Sequence, residues 1–246
     1  VHEREDMVLS GALAAKGRDY AGMDCGMAAG LGIITGAEVY DDIDQAVSSC
    51  DTVIDFSMTE ISSAVLEKAV EYGKSLVCGT TGFTPEEMKA FEIASEKIPV
   101  LYAANTSTAV NCMNRLLEMA SRMIGEKSDI EIIEMHDRNK LDAPSGTSKE
   151  MGHIIAESLG LELDEAARYG RSGRRKRSDN EIGYHSIRSG DISSSHTVIF
   201  GMMGERLEIT HHAYNWTCFA RGACDCAKFL EGRGPGLYGV SDVIKL

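Results

Sequence analysis

Short apolar runs alternate with longer amphipathic runs in the part of the sequence before residue 107. From residue 52 onwards, three strands and two helices are predicted there: strands over Thr52–Phe56, Ser75–Cys78 and Pro99–Ala103, and helices from about Glu60 to Tyr72 and from Thr84. Gly73 should end the first helix, and Thr84 with Glu87 should form a capping box at the start of the second. Strands that alternate with helices favour an α/β fold with a parallel sheet, whose ligands bind at the carboxyl ends of the strands.

The pattern changes after a helical run from Ala109 to Gly125. Four strands are predicted in the next hundred or so residues: Asp129–Met135, Ile182–Arg188, His196–Phe200 and Arg206–His211. A helix is predicted between the first two of them, and another covers Ala220–Leu230. An open mixed sheet with a helix packed on it, which is an α+β arrangement, fits this order.

A loop with candidate catalytic residues follows the strand over Asp129–Met135. His136 lies where the strand ends, and Lys140 lies within the loop. An imidazole can exchange protons near neutral pH, and an ammonium can donate a proton and stabilise negative charge. The alternative is an ordinary histidine at a strand end and a solvated lysine.

A helix start follows the same loop. The run Thr147–Glu150 matches a capping box, so a helix is predicted over about Ser148–Leu159, closed by Gly160. The amides of a helix N-terminus, with a glycine and two hydroxyl groups beside them, form a site for a carboxylate or a phosphate. Such an anion site is predicted at three consecutive residues: Ser145, Gly146 and Thr147. The alternative is that the two hydroxyl groups merely cap the helix.

The run Glu131–Thr147 reads Glu-Ile-Ile-Glu-Met-His-Asp-Arg-Asn-Lys-Leu-Asp-Ala-Pro-Ser-Gly-Thr and closely resembles a motif of the dihydrodipicolinate reductase family. Further matching segments follow in order along the chain: Val53–Phe56, Gly79–Phe83, Ala103–Ser107, Gly190–Asp191, His196–Thr197 and Gly204–His211. The resemblance therefore covers nearly the whole chain. It implies an enzyme of lysine and diaminopimelate biosynthesis that uses NADPH or NADH to reduce a cyclic unsaturated dicarboxylate to tetrahydrodipicolinate.

The resemblance also implies the domain organisation. Residues 1–107 and 217–246 would form a Rossmann-like domain with a parallel sheet, and residues 108–216 an α+β domain with an open mixed sheet for substrate binding and oligomerisation. A homotetramer assembled through open sheet surfaces is implied as well. Strands such as His196–Phe200 would expose apolar side chains unless a partner covered them.

Site residues are implied wherever the chain matches the family's motifs. Lys140 is implied as the general acid, and His136 as a group that stabilises charge or transfers a proton. Ser145–Thr147 would hold a substrate carboxylate. The nicotinamide half of the cofactor would lie at two strand ends: Gly79, Thr80, Thr81, Ala103, Ala104, Asn105 and Thr106.

Asp137 is a departure from the family, which usually has a second histidine that contacts the substrate at this position. A carboxylate should repel a dicarboxylate unless Asp137 is protonated or turned onto Arg138 or Lys140. A related reductase with a different, less anionic substrate therefore stays open. A second alternative is a non-catalytic chain that keeps the fold and the assembly surface but lacks the phosphate loop.

The N-terminal residues are the second departure. A strand is predicted over Met7–Leu13, after Val1–Asp6, which are typical of the end of a helix. The family opens with a strand and a glycine-rich turn that binds the cofactor pyrophosphate; neither is found, so an incomplete enzyme with weak NADPH binding is expected. Lys16, rather than an acidic residue, follows the strand and favours NADPH or the use of both cofactors. The alternative is an exposed lysine without a ligand.

Composition excludes several classes of partner. The net charge of −13 argues against nucleic acid, and the basic run Arg171–Arg177 is more simply a solvated loop beside a site for anions. Seven cysteines without a paired Cys-x-x-Cys motif argue against zinc and favour a reducing compartment. No apolar run reaches the length of a membrane span and no signal peptide is recognised, so a cytoplasmic protein without a bound metal is expected.

Overall fold

The computed structural model describes residues 1–244. Its strands are β1 Gly11–Leu13, β2 Glu38–Tyr40, β3 Thr52–Asp55, β4 Ser75–Cys78, β5 Pro99–Tyr102, β6 Asp129–His136, β7 Ala167–Tyr169, β8 Ile182–Arg188, β9 Ser194–Met202, β10 Glu205–Ala213 and β11 Gly236–Tyr238. Its α-helices are α1 Cys25–Ala28, α2 Ile43–Ser48, α3 Thr59–Tyr72, α4 Pro85–Ser95, α5 Thr108–Ile124, α6 Gly146–Ser158, α7 Leu163–Ala166, α8 Thr217–Leu230 and α9 Val240–Val243. The chain divides into two compact units, Val1–Thr106 with Ala220–Leu246, and Ser107–Phe219.

The first unit contains a four-stranded parallel sheet in the order β11-β5-β4-β3. Apolar side chains cover both of its faces: Leu76 and Val100 pack with residues of α3 and α4, and Val77 and Leu101 pack with α8. Burial on both faces explains why these strands are almost continuously apolar in sequence. The Rossmann-like parallel sheet predicted from the sequence is confirmed.

Two helix ends of the first unit confirm their sequence signals. Gly73 ends α3 with a left-handed backbone, φ +64°, which glycine adopts without a steric penalty. At the start of α4, the Glu87 amide donates to the Thr84 hydroxyl at 3.2 Å and the Glu87 carboxylate accepts from the Thr84 amide at 2.7 Å. The predicted capping box is therefore present.

The N-terminal region differs from the prediction. β1 begins only at Gly11, and residues 1–6 form turns rather than the end of a helix. The elements α1, β2 and α2 were not predicted, and contacts distant in sequence hold α1 in place. The Asp24 carboxylate accepts hydrogen bonds from the amides of Gly26, Thr35 and Gly36, which ties the short α1 to the segment before β2. β1 and β2 pair in a separate two-stranded parallel sheet.

The second unit is built on a five-stranded sheet in the order β10-β9-β6-β8-β7. β6 pairs in parallel with β8 and antiparallel with β9, so the predicted mixed sheet is confirmed. One face of the sheet is buried, where Ile132, Val198 and Phe200 pack with residues of α5 and α6, such as Leu117 and Ile155. The other face includes Ile187, which is 40% exposed. Because Val198 and Phe200 belong to the chain's own core, the predicted exposure of their side chains is wrong.

Candidate active site

Strand β6 carries two polar side chains on its buried face. Alternate residues of a strand point to the same face, so Glu134 and His136 share the face of Ile130 and Ile132. Glu134 is 1% exposed and His136 is 8% exposed. A buried carboxylate requires hydrogen-bond donors around it, and this one has several.

Glu134 is the centre of a hydrogen-bonded cluster. The Nδ1 atom of His136 lies 2.5 Å from its Oε2, and the two terminal nitrogens of Arg188 donate to its two oxygens, each at 2.8 Å. The amide of Ser145 donates to Oε1 at 3.3 Å. Burial alone would raise the pKa of Glu134, but the hydrogen bonds from His136 and Arg188 outweigh burial and hold the pKa well below its usual range. Glu134 is therefore ionised.

Two further histidines extend this cluster towards β10. The ring of His196 lies 5.3 Å from that of His136 and 6.1 Å from that of His211, between ring centroids. Burial, reinforced by these two imidazoles, lowers the pKa of His196 to about 3. His196 is therefore neutral at physiological pH, and its Nε2 atom lies 3.2 Å from the hydroxyl oxygen of Ser145.

Helix α6 begins earlier than its sequence predicts. Ser145, not Thr147, is the N-cap, and its hydroxyl accepts from the Ser148 amide at 3.2 Å. The predicted capping box at Thr147–Glu150 is wrong, because the contacts of Ser145 with His196 and with the Glu134 carboxylate hold Ser145 in place. The start of the helix consequently contacts the histidine cluster through the Ser145 hydroxyl.

The loop between β6 and α6 is fixed by its own carboxylates. Asp137 accepts from the Asn139 amide at 2.8 Å, whereas the ammonium of Lys140 pairs with Asp142 at 2.7 Å. Among the ion pairs described within residues 1–244, none joins Asp137 to Arg138 or Lys140. Arg188 also donates to the Asp142 carbonyl at 2.5 Å. One guanidinium thereby joins the loop to Glu134.

The residues predicted to hold the cofactor belong to the first unit. Gly79 and Ala103 follow the adjacent strands β4 and β5, and the Ala103 amide donates to the Cys78 carbonyl at 3.0 Å. Thr81 and Ala104 are exposed at these strand ends, and Asn105 is half-buried. Lys16 is exposed and lies three residues after β1, which is a strand of the two-stranded sheet.

Four of the predicted cofactor residues are buried: Gly79, Thr80, Ala103 and Thr106. Thr80 is 5% exposed, and its hydroxyl oxygen accepts from the Ser62 hydroxyl at 2.8 Å. Thr106 is 0% exposed. A Cβ added to Gly79 would overlap the ring of Phe56, so this position admits only glycine while the ring stays in place. Contacts to a ligand at these two turns would therefore come from the backbone and from the exposed neighbours.

Sequence reasoning missed five members of the cluster in the second unit: Glu134, Arg188, Ser194, His196 and His211. The signal for Glu134 was available, because a charged residue interrupts the apolar face of β6 between Ile132 and His136. His196 and His211 lie in segments that match the family's motifs, whereas no local pattern identifies Arg188 on β8 or Ser194 on β9. The Ser194 hydroxyl oxygen lies 3.2 Å from the Nε2 atom of His136. Within residues 1–244, no group of three or more side chains is placed to hold a metal ion. None of the helices described there is long and apolar enough to cross a membrane.

Two family models match the chain. The model of the dihydrodipicolinate reductase N-terminus matches residues 1–106, and that of the C-terminus matches residues 109–244. The chain belongs to the dihydrodipicolinate reductase family. As a member of this reductase family, it is an oxidoreductase that depends on a nicotinamide cofactor and acts in lysine and diaminopimelate biosynthesis.

Similar proteins agree with this membership. The 4-hydroxy-tetrahydrodipicolinate reductases of Alkalilimnicola ehrlichii and Citrifermentans bemidjiense are each 42% identical over 247 residues, which cover 100% of this chain and 92% of each relative. A solved dipicolinate-bound dihydrodipicolinate reductase from Paenisporosarcina sp. TG-14 has a TM-score of 0.76 at 23% identity, covering 99% of this chain and 92% of that one. An amine dehydrogenase from Mycobacterium smegmatis has a TM-score of 0.66 at 10% identity, covering 98% and 89%. These two structures support the fold.

Proposed function

We propose that this chain reduces 4-hydroxy-tetrahydrodipicolinate to tetrahydrodipicolinate with NADPH or NADH, in the cytoplasm. The observation that carries the proposal is the cluster in the second unit. Buried hydrogen bonds join His136 and the Ser145 N-cap to Glu134, and an exposed one joins Arg188 to the loop of Lys140. The names of the 42% identical relatives identify the substrate.

A substrate carboxylate would bind at the start of α6. The N-terminus of a helix of 13 residues attracts an anion through its amides and its dipole. Gly146 supports this position, because a Cβ added there would meet no protein atom within 4 Å. Protein packing therefore does not explain the glycine at this residue. A ligand that approached the backbone closely would explain it.

Lys140 is the proposed general acid. Reduction leaves the ring electron-rich, and a cation beside the ring stabilises that charge and delivers the proton to the neighbouring carbon. The ammonium is held by Asp142 at 2.7 Å, and its side chain is 25% exposed, so it remains accessible to a ligand. His136 would stabilise the developing negative charge at the same end of β6.

The cofactor would bind at the carboxyl ends of β3, β4 and β5, where a parallel sheet binds its ligands. The turns at Gly79–Thr81 and Ala103–Asn105 fit a flat ring, since Gly79 leaves no side chain beyond Phe56 and the exposed Thr81 and Ala104 flank the strand ends. When bound, the dihydronicotinamide supplies the hydride. Lys16 would favour the 2′-phosphate of NADPH over NADH.

Assembly is proposed to be a homotetramer formed through the open face of the second sheet. Ile133, Ile187 and Ile199 lie on this face and are only partly covered by the chain itself. Apolar side chains that stay partly exposed at three positions of one sheet face are typical of a surface that a partner covers. A second copy of the sheet would bury them.

A coupled absorbance assay tests the function. The purified chain should consume NADPH or NADH when the lysine-pathway intermediate is supplied. Lys140→Ala should lower kcat by about 10²–10⁴-fold, the range for a positioned acid, with cofactor affinity near normal. Lys127→Ala removes an exposed lysine that precedes β6 and is the matched control. Absence of consumption by the wild type would refute the function, and an unchanged kcat of the Lys140 variant would remove Lys140 from the mechanism.

A further inference from the structure

Glu134 has contacts with each part of the proposed reduction site. It accepts from the imidazole of His136, from the amide of the Ser145 N-cap and from both terminal nitrogens of Arg188. We propose that Glu134 is a positioning residue of this enzyme, which fixes the orientation of the His136 ring and aligns it with the anion site at the start of α6. This inference rests on the proposed function.

The first step of the argument concerns the His136 tautomer. An ionised carboxylate can only accept hydrogen bonds, so the Nδ1 atom of His136 must carry the proton that lies between the two groups. The Nε2 atom then faces the hydroxyl of Ser194 at 3.2 Å. A neutral ring accepts from that hydroxyl, and a protonated ring donates to it. Proton exchange is thereby confined to Nε2, which is the arrangement that an orienting carboxylate gives to a reactive histidine.

The second step concerns the anion site. The same carboxylate holds the Ser145 amide at 3.3 Å, and Arg188 extends its reach to the Asp142 carbonyl. These two contacts lie on either side of the residues 143 and 144 that lead into α6. A change at Glu134 therefore affects the imidazole, the helix start and the Asp142 segment that pairs with Lys140 together.

Strand β6 supplies a matched control. Glu131 also binds one histidine, at 2.8 Å from the Nε2 atom of His185, and two arginines, Arg171 and Arg177. It lies on the opposite face of the strand from Glu134, because the two positions differ by an odd number. Glu131→Gln and Glu134→Gln thus each remove a carboxylate that binds a histidine and at least one arginine, one outside the cluster and one inside it.

The test compares kcat, KM and the pH profile of kcat between the two variants and the wild type. Light scattering checks that all three proteins have the same mass in solution. Glu134→Gln leaves one acceptor oxygen for the donors of His136, Arg188 and Ser145 and places an NH2 group where the other oxygen was, so the His136 ring loses its fixed carboxylate partner. We expect kcat to fall about 10²-fold, KM to rise less than tenfold and the pH profile to shift. Glu131→Gln should retain the wild-type values. Wild-type kcat in Glu134→Gln, or an equal loss in both variants, overturns the proposal.

A spectroscopic measurement separates this proposal from the proposed function. In protein with ¹⁵N-labelled histidine, the ring signals of His136, assigned with His136→Gln, should report a proton on Nδ1 in the wild type and its loss in Glu134→Gln. This readout does not depend on turnover: an inactive wild type would refute the reductase, while unchanged ring signals would refute the positioning role.

Glu134→Gln removes the negative partner of the Arg188 guanidinium. If this loss prevents folding, a second variant carries the test. Glu134→Asp keeps the charge for Arg188 but withdraws the carboxylate by one methylene, so it cannot reach His136 in the same way. It should fold, show at least a tenfold lower kcat and lose the Nδ1 proton signal. Wild-type kcat and ring signals in Glu134→Asp would overturn the proposal.

Discussion

The buried imidazole of His196 should make the stability of the second unit depend on pH. Its pKa is lowered from 6.5 to about 3 in the folded chain, first by burial and then by the neighbouring rings of His136 and His211. Glu134 opposes this shift and Lys140 adds to it. His196 is 1% exposed, so solvent does not screen the effect.

The magnitude follows from linkage. Above pH 6.5 both states carry a neutral His196 and the free energy of unfolding is independent of it. As the pH falls below 6.5, the unfolded chain binds a proton that the folded chain refuses, so stability is lost towards pH 3. One proton corresponds to a loss of about 1.4 kcal/mol per pH unit. Burial also lowers the pKa of His211, which contributes with the same sign.

Urea unfolding of the wild type and of His196→Gln between pH 6 and pH 5 measures the effect. Trp216 is the single tryptophan and lies in the second unit, so its fluorescence follows the unit that contains His196. The variant cannot take up the proton, and its slope against pH should be smaller by about 1.4 kcal/mol per unit. His153→Gln, which removes an exposed histidine of α6, should keep the wild-type slope. Equal slopes in wild type and His196→Gln would refute the reasoning.

Three further outcomes are expected. Asp137→His should lower KM for the doubly anionic substrate, because it removes a like charge; a higher KM would favour a different substrate. Gly146→Ala should raise KM without loss of stability, whereas Gly152→Ala, whose Cβ would overlap the Tyr184 hydroxyl, should lower the free energy of unfolding; the opposite order would exclude ligand approach at Gly146. Light scattering should give a tetramer mass at micromolar concentration, and a monomer mass would rule out assembly through the open sheet face.

The sequence predicted those elements whose signals are local. The start of α4 depends on Thr84 and Glu87, three residues apart, and the end of α3 depends on Gly73 alone. The start of α6 was misplaced because Ser145 and Thr147 are both suitable caps. The choice between them depends on His196, which lies 51 residues later in the sequence. Distant contacts of this kind leave no trace in a local pattern.

The candidate site shows the same division. His136, Lys140 and the residues of the α6 start lie in one short run, so sequence reasoning could propose them together. Their alignment depends on Arg188, 54 residues beyond Glu134, and on Ser194, 58 residues beyond His136. The short run therefore indicates which groups are available for the chemistry, whereas the fold decides which of them share hydrogen bonds.

The composition of the β6 core face supports a functional role for Glu134. Ile130 and Ile132 fill the same face with apolar side chains, so packing against α5 and α6 does not require a charge there. Taking the Glu134 carboxylate out of water costs several kcal/mol, and well-packed apolar residues often stabilise a core as well or better. The cluster offsets that cost with donors from His136, Arg188 and Ser145. Stability alone therefore does not account for an ionised carboxylate at this position, whereas the orientation of an imidazole beside an anion site does.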